Sequence, residues 1–213
     1  MKIAVLGANS SFGSKLVLKA EEAKISVVNL VSDASNLVGS GPVIIKDFHD
    51  LTFNDVKDCH YVVDTLSFLK ISQFSSDLLP LWHLLEILKG SNIKLLALGS
   101  SSFLYTDKSR TRLVYESECM CDDAPQVSPR LCINAYNRLK HCSNVSWSVL
   151  CPPLLLDSKS YCNSALEFGN DILPMGLDGD SCISESDFVK AVVETLLRNP
   201  QAHSCISVRA LRN

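Results

Sequence analysis

The sequence predicts a doubly wound α/β fold, a single mostly parallel sheet with helices on both faces. Two observations predict it. Short runs rich in Val, Ile and Leu alternate with longer segments whose apolar residues recur at helical spacing. The first of those runs also passes directly into a turn with a glycine at each end, Gly7-Ala8-Asn9-Ser10-Ser11-Phe12-Gly13, and on into a helical segment.

The strands are expected at Lys2–Leu6, Ile25–Val31, Val43–Ile45, Tyr61–Thr65, Ile93–Leu98 and Trp147–Leu150, with a last one at Cys205–Val208. Their near-continuous apolar character suits strands buried on both faces. Between them, Phe12, Leu16, Ala20 and Ala23 mark one helical stripe, and Leu78, Leu81, Leu85 and Leu88 another. Ser184 is an N-cap for a helix reaching about Leu197, with Asp187 placing negative charge in its first turn, and Asn199-Pro200 stops it. The least regular stretches are 107–129 and 154–180. Both follow strands whose carboxyl ends share one edge of the sheet, where open α/β sheets bind ligands, so they are read as substrate walls.

At 213 residues the chain suits one domain spanning 1–213. Hydrophobic residues make up 46% and charged residues 20%, with a net charge of −3. No Lys/Arg cluster offers a nucleic-acid face, and no apolar run reaches the length needed to cross a bilayer. Lys2 is followed by only four apolar residues before Gly7, too few for a signal peptide, so a cytoplasmic protein is expected. The nine cysteines then read as reduced thiols. Cys119-Met120-Cys121 lacks the second ligand pair of a zinc site, so no metal is expected.

A phosphate-binding turn needs small residues that let backbone N–H groups approach the anion, and a helix start aimed at it. The stretch Gly7–Gly13 supplies that order directly after the first strand. Gly7 permits the tight exit and Gly13 lets the helix pack close to the sheet, while Asn9, Ser10, Ser11 and Phe12 supply backbone donors. Asn9, Ser10 and Ser11 add side-chain ones. The glycine normally nearest a pyrophosphate is replaced by Ser10. At the end of the second strand, where the cofactor's ribose is recognised, Ser32 brings no cation for a 2′-phosphate and Asp33 can accept from a free hydroxyl, which favours NADH over NADPH. Asp47 and Phe48, after the third strand, are placed to contact an adenine.

These motifs resemble the atypical short-chain dehydrogenase/reductases, the NAD(P)H-binding Rossmann proteins that include biliverdin reductase B-like flavin reductases and NmrA-like regulators. Gly7–Gly13 is similar to that family's G-A-T-G-x-x-G. Leu98–Tyr105 resembles its fifth-strand segment, Ser146–Pro153 its sixth strand with a proline-containing exit, and Ile183–Val192 its I-S-x-x-D helix start. The resemblance implies that Ser100 and Ser101 lie beside the nicotinamide or substrate as the catalytic hydrogen-bonding pair. It also implies that Thr65, Leu66 and Ser67 line the cofactor, and that Pro152, Pro153 and Leu154 shape the nicotinamide pocket.

Tyr136 and Lys140 match the Y-x-x-x-K of ordinary short-chain dehydrogenases. They fall about two turns late relative to the sixth strand, and the pair is read as a helix end. Without that proton donor, hydride transfer to a flavin, quinone or similar planar small-molecule acceptor is the expected activity. The alternative is a non-catalytic NAD(P)-sensing regulator of the NmrA-like kind, acting through a protein partner. Trp82 and His83 read as packing residues.

Overall fold

The fold is described from a computed structural model, over residues 1–69, 78–117, 129–157 and 164–211. Its centre is an eight-stranded sheet in the order β3-β2-β1-β4-β5-β6-β10-β8. The strands are β1 Lys2–Leu6, β2 Ser26–Val31, β3 Val43–Ile45, β4 Tyr61–Asp64, β5 Lys94–Leu98 and β6 Trp147–Cys151. β8 (Ala165–Gly169) and β10 (Ser204–Leu211) complete it, and β7 (Leu155–Asp157) pairs in parallel with β9 (Cys182–Ser184) as a separate two-stranded sheet. Neighbours from β3 to β10 run parallel; only β8 is antiparallel, against β10. The chain therefore reverses direction of growth between β1 and β4, which makes their carboxyl ends the switch point where ligands settle in such sheets.

Both faces of the sheet are covered at β1, β2, β4, β5 and β6, which is why those strands read as unbroken apolar runs, whereas the edge strand β3 leaves Val43 and Ile45 exposed. Ile3, Val5 and Val63 face a layer made by α1 (Ser11–Glu22) and α5 (Glu185–Arg198), where Phe12 and Phe188 meet at 5.7 Å. Ala4, Leu6 and Val62 face α2 (Phe53–Val56), α3 (Pro80–Leu88) and α4 (Pro129–Lys140). α5 begins as the sequence predicts: the Ser184 hydroxyl accepts from the Asp187 N–H at 3.0 Å, and Asn199 ends the helix in the left-handed region.

Three expectations need correction. The last strand is longer than Cys205–Val208, running from Ser204 to Leu211. Leu78 lies outside α3 and is 56% exposed, because the helix starts at Pro80, whose fixed φ suits a first helical position and holds Leu79 extended. The stretch 154–180 holds β7 and β8 rather than loop alone. β7 has three residues, too few to display a period; β8 alternates, with Leu166 and Phe168 turned toward the α5 layer.

Candidate functional site

Gly7 leaves β1 with φ +77°, a conformation that side chains disfavour. A Cβ there would lie 2.5 Å from Leu66 Cδ2 and 2.9 Å from Thr65 Oγ1, so the turn is pressed against the end of β4. Gly13 is tighter still, since its Cβ would fall 2.0 Å from the Gly7 carbonyl oxygen. Ser10, by contrast, has φ −73° and ψ 163°, ordinary for any residue. Its hydroxyl caps α1 by accepting from the Gly13 N–H at 3.0 Å. The serine that replaces the expected glycine therefore fits without strain and has a structural role. Ser14 N–H bonds the Ser10 carbonyl. Among the described residues the Ser11 and Phe12 N–H groups remain unpaired at the positive end of the helix. The first turn carries no acidic residue to neutralise it. Ser11 is exposed, whereas the Phe12 ring is buried against α5, so Phe12 can offer a ligand its main chain alone.

The flank at the end of β2 is acidic. Asn9 Nδ2 donates to the Asp33 carbonyl at 3.3 Å and to its carboxylate at 3.4 Å, and Ser32 donates to the same carboxylate. The Ser35 hydroxyl and N–H hold the Asp33 carboxyl below its usual range, so it stays charged. At the end of the neighbouring β3, the Lys46 ammonium is paired with Asp55 at 2.8 Å. Asp47 is exposed and caps the short 3-10 turn Phe48–Asp50 by accepting from His49 N–H, and Phe48 lies against the His49 ring at 4.0 Å.

At the end of β4, Thr65 is buried and donates to the Leu6 carbonyl at 2.7 Å. The Ser67 hydroxyl accepts from the Leu81 N–H at 2.9 Å and so pins the start of α3. Half-buried Leu66 is the member of this trio that borders Gly7. Sequence reasoning left Asp64 without a role. Its carboxyl is buried, with one oxygen accepting the Leu66 and Ser67 N–H groups and the other unpaired among the described residues. Burial pushes it up, favouring the neutral acid. A lone carboxylate in an otherwise apolar strand was the signal.

Ser100 and Ser101 follow β5 on a short 3-10 turn, Ser101–Phe103. The Ser100 hydroxyl donates to Ser102 Oγ at 3.0 Å and accepts the Ser102 N–H. Ser101 is half-buried and its hydroxyl has no partner among the described residues. The exit from β6 places Pro152 and Pro153 in buried positions beside them, and Leu154 N–H bonds Ser181 Oγ. The two stretches read as substrate walls touch one another: Tyr105 bridges to Leu113 and to Ile172, and Arg110 forms a two-pronged ion pair with Asp171. Residues 118–128 and 158–163 of those walls lie outside the described residues, as does Cys119-Met120-Cys121.

Tyr136 does not present its hydroxyl with Lys140 as a proton-delivering pair. Its ring stacks on Phe103 at 4.5 Å, its hydroxyl faces the Cys151 and Cys205 thiols, and Lys140 sits over the ring face 5.1 Å from the centroid. Trp82 packs under the Arg138 guanidinium, and His83 bonds the Leu51 carbonyl at 2.7 Å. An open depression of about 880 Å³ lies at the opposite edge of the sheet, among Met1, His60, Tyr61, Lys94 and Asn199. It is formed by the starts of the strands, away from the glycine turn and from the edge where such sheets bind ligands. Among the described residues, no helix is long and apolar enough to cross a membrane.

No protein-family model matches the chain. It is 26% identical over 204 residues, 92% of each protein, to the uncharacterized protein YwnB of Bacillus subtilis (strain 168). The fold is shared with a candidate NADH-flavin reductase of Streptococcus pneumoniae TIGR4, at a TM-score of 0.85 and 20% identity over 99% of this chain and 100% of that one. It is shared also with a short-chain dehydrogenase/reductase of Veillonella parvula DSM 2008, at a TM-score of 0.70 and 15% identity over 98% and 94%. The chain thus has the Rossmann-type α/β fold that its sequence predicts.

Proposed function

We propose that this protein binds a nicotinamide dinucleotide along the carboxyl edge of its sheet and reduces a planar small-molecule acceptor of the flavin or quinone class. The observation that carries the proposal is the head of α1, where a glycine-bounded turn leaves the Ser11 and Phe12 N–H groups unpaired beside the switch point. Those amides, with the Ser10 and Ser11 hydroxyl protons, would hold a pyrophosphate. The acidic Asp33, with Lys46 already paired, supports NADH over NADPH, because a 2′-phosphate would meet a fixed negative charge. Leu66 would border the cofactor at Gly7, and Asp47 and Phe48 would flank its adenine.

When bound, the reduced nicotinamide supplies the hydride. The chain's own part is orientation and exclusion of water. The free Ser101 hydroxyl donates to the acceptor, Ser100 fixes the turn that carries it, and Pro152, Pro153 and Leu154 wall the pocket. Locking of the two loops by Arg110 and Asp171 shields the acceptor side. Tyr136 and Lys140 are not arranged to deliver a proton, which suits an acceptor that delocalises charge and takes its proton from water. Steady-state turnover of NADH with free flavin tests the reading. No oxidation of NADH above a protein-free blank, at concentrations where cofactor binds, refutes the reductase and leaves a nucleotide-sensing protein in its place.

A further inference from the structure

Behind the turn that carries Ser100 lies a pair of thiols that the proposed reaction does not use. Cys151 ends β6 and is fully buried, while Cys205 lies on the adjacent β10, half-buried and in register with Val149. Both sulfurs lie on the α3/α4 side of the sheet and stand 3.5 Å apart. Cys151 is wedged against the β5 exit: a Cβ on Gly99 would fall 2.7 Å from its sulfur, which also faces the Ser100 main chain. The Tyr136 hydroxyl faces both thiols. Among the described residues no group of three His, Cys, Asp or Glu side chains is placed to hold a metal ion.

We propose that Cys151 and Cys205 form a modification site, a dithiol that hydroperoxides convert to a cross-strand disulfide coupled to the Ser100 turn. Cys205 is the less buried of the two residues and is therefore assigned the first encounter with solvent-borne peroxide. Its sulfur attacks one peroxide oxygen, the O–O bond breaks, and Cys205 becomes a sulfenic acid as water or an alcohol leaves. The Cys151 sulfur then attacks the Cys205 sulfur. The S–O bond breaks, and water departs with the Cys151 thiol proton. Two electrons leave the pair and one peroxide is reduced. The sulfurs must close from 3.5 Å to a bond of about 2.05 Å. That movement draws Cys151 off the Gly99 and Ser100 backbone, so the β5 exit loosens on oxidation and tightens again when a thiol reductant cleaves the bond.

Peptide mapping of the full chain tests this. Reduced protein is treated with hydrogen peroxide, blocked with N-ethylmaleimide and digested with trypsin. Cys205 then falls as the sole cysteine of peptide 199–209, and Cys151 in peptide 141–159 together with Cys142. The expected product is these two peptides joined through Cys151, with one N-ethylmaleimide on Cys142 and otherwise two hydrogens lighter than their sum, absent without peroxide and lost on reduction. Cys205→Ser abolishes it. Hydrogen exchange of residues 99–104 is faster in the oxidised wild type. Cys205 recovered as sulfinic acid without the link overturns the proposal, as does a link to Cys142 instead. A link with unchanged exchange overturns the coupling to the Ser100 turn. The wild-type map decides the matter even if the variant fails to fold.

Discussion

Replacing Gly13 by alanine sets two effects against each other, and the structure fixes which wins. By helix propensity alone the change stabilises, by up to about 1 kcal/mol. The new Cβ, however, would lie 2.0 Å from the Gly7 carbonyl oxygen and 2.8 Å from its carbon. An ordinary carbon–oxygen contact is about 3.3 Å, so the head of α1 has to retreat by roughly 1 Å. Overpacking of this kind costs about 1–3 kcal/mol. The retreat also breaks the Ser10 cap on the Gly13 N–H, worth about 1 kcal/mol. The net expectation is a loss of about 2–3 kcal/mol, or roughly 5–10 °C in Tm for a chain of this size. Thermal denaturation followed by circular dichroism measures it, with Ser10→Ala isolating the cap. A Tm equal to or above wild type for Gly13→Ala would show that the turn is not packed as described.

Two further perturbations read the site. Burial raises the Asp64 carboxyl, so the folded chain keeps a proton there that the unfolded chain releases above about pH 4. The favourable contribution is complete below that pH and declines as pH rises toward the folded value; Asp64→Asn should therefore gain in Tm relative to wild type between pH 4 and pH 7, and a pH-independent difference contradicts this. Tyr136→Phe should leave NADH–flavin turnover within about threefold, whereas removing a true proton donor costs about 100-fold or more. A loss of that size would return Tyr136 to the reaction.

Most of the sheet was legible because burial on both faces forces unbroken apolar runs, and β1, β2, β4, β5 and β6 show them. The glycine turn and the start of α5 were legible because each depends on local backbone chemistry, which residue type reports directly. What escaped depends on partners distant in sequence. β7 is defined by pairing with β9, some 27 residues on, as Leu155 pairs with Cys182. Thr65 and Ser67 read as ligand-facing hydroxyls, yet their bonds go to Leu6 and Leu81. Ser10 read as a departure from the glycine pattern, and its meaning emerged only with the φ it adopts and the N–H it caps. The Cys151–Cys205 contact arises from the adjacency of β6 and β10 and has no counterpart in local sequence.

Calorimetric titration of the purified chain with NADH, and separately with NADPH, addresses the central claim most directly. Saturable binding of one NADH per chain is expected, tighter than NADPH and strongly weakened in a folded Gly13→Ala variant. Absence of binding by both nucleotides at millimolar concentration, with the wild-type chain folded, would contradict it.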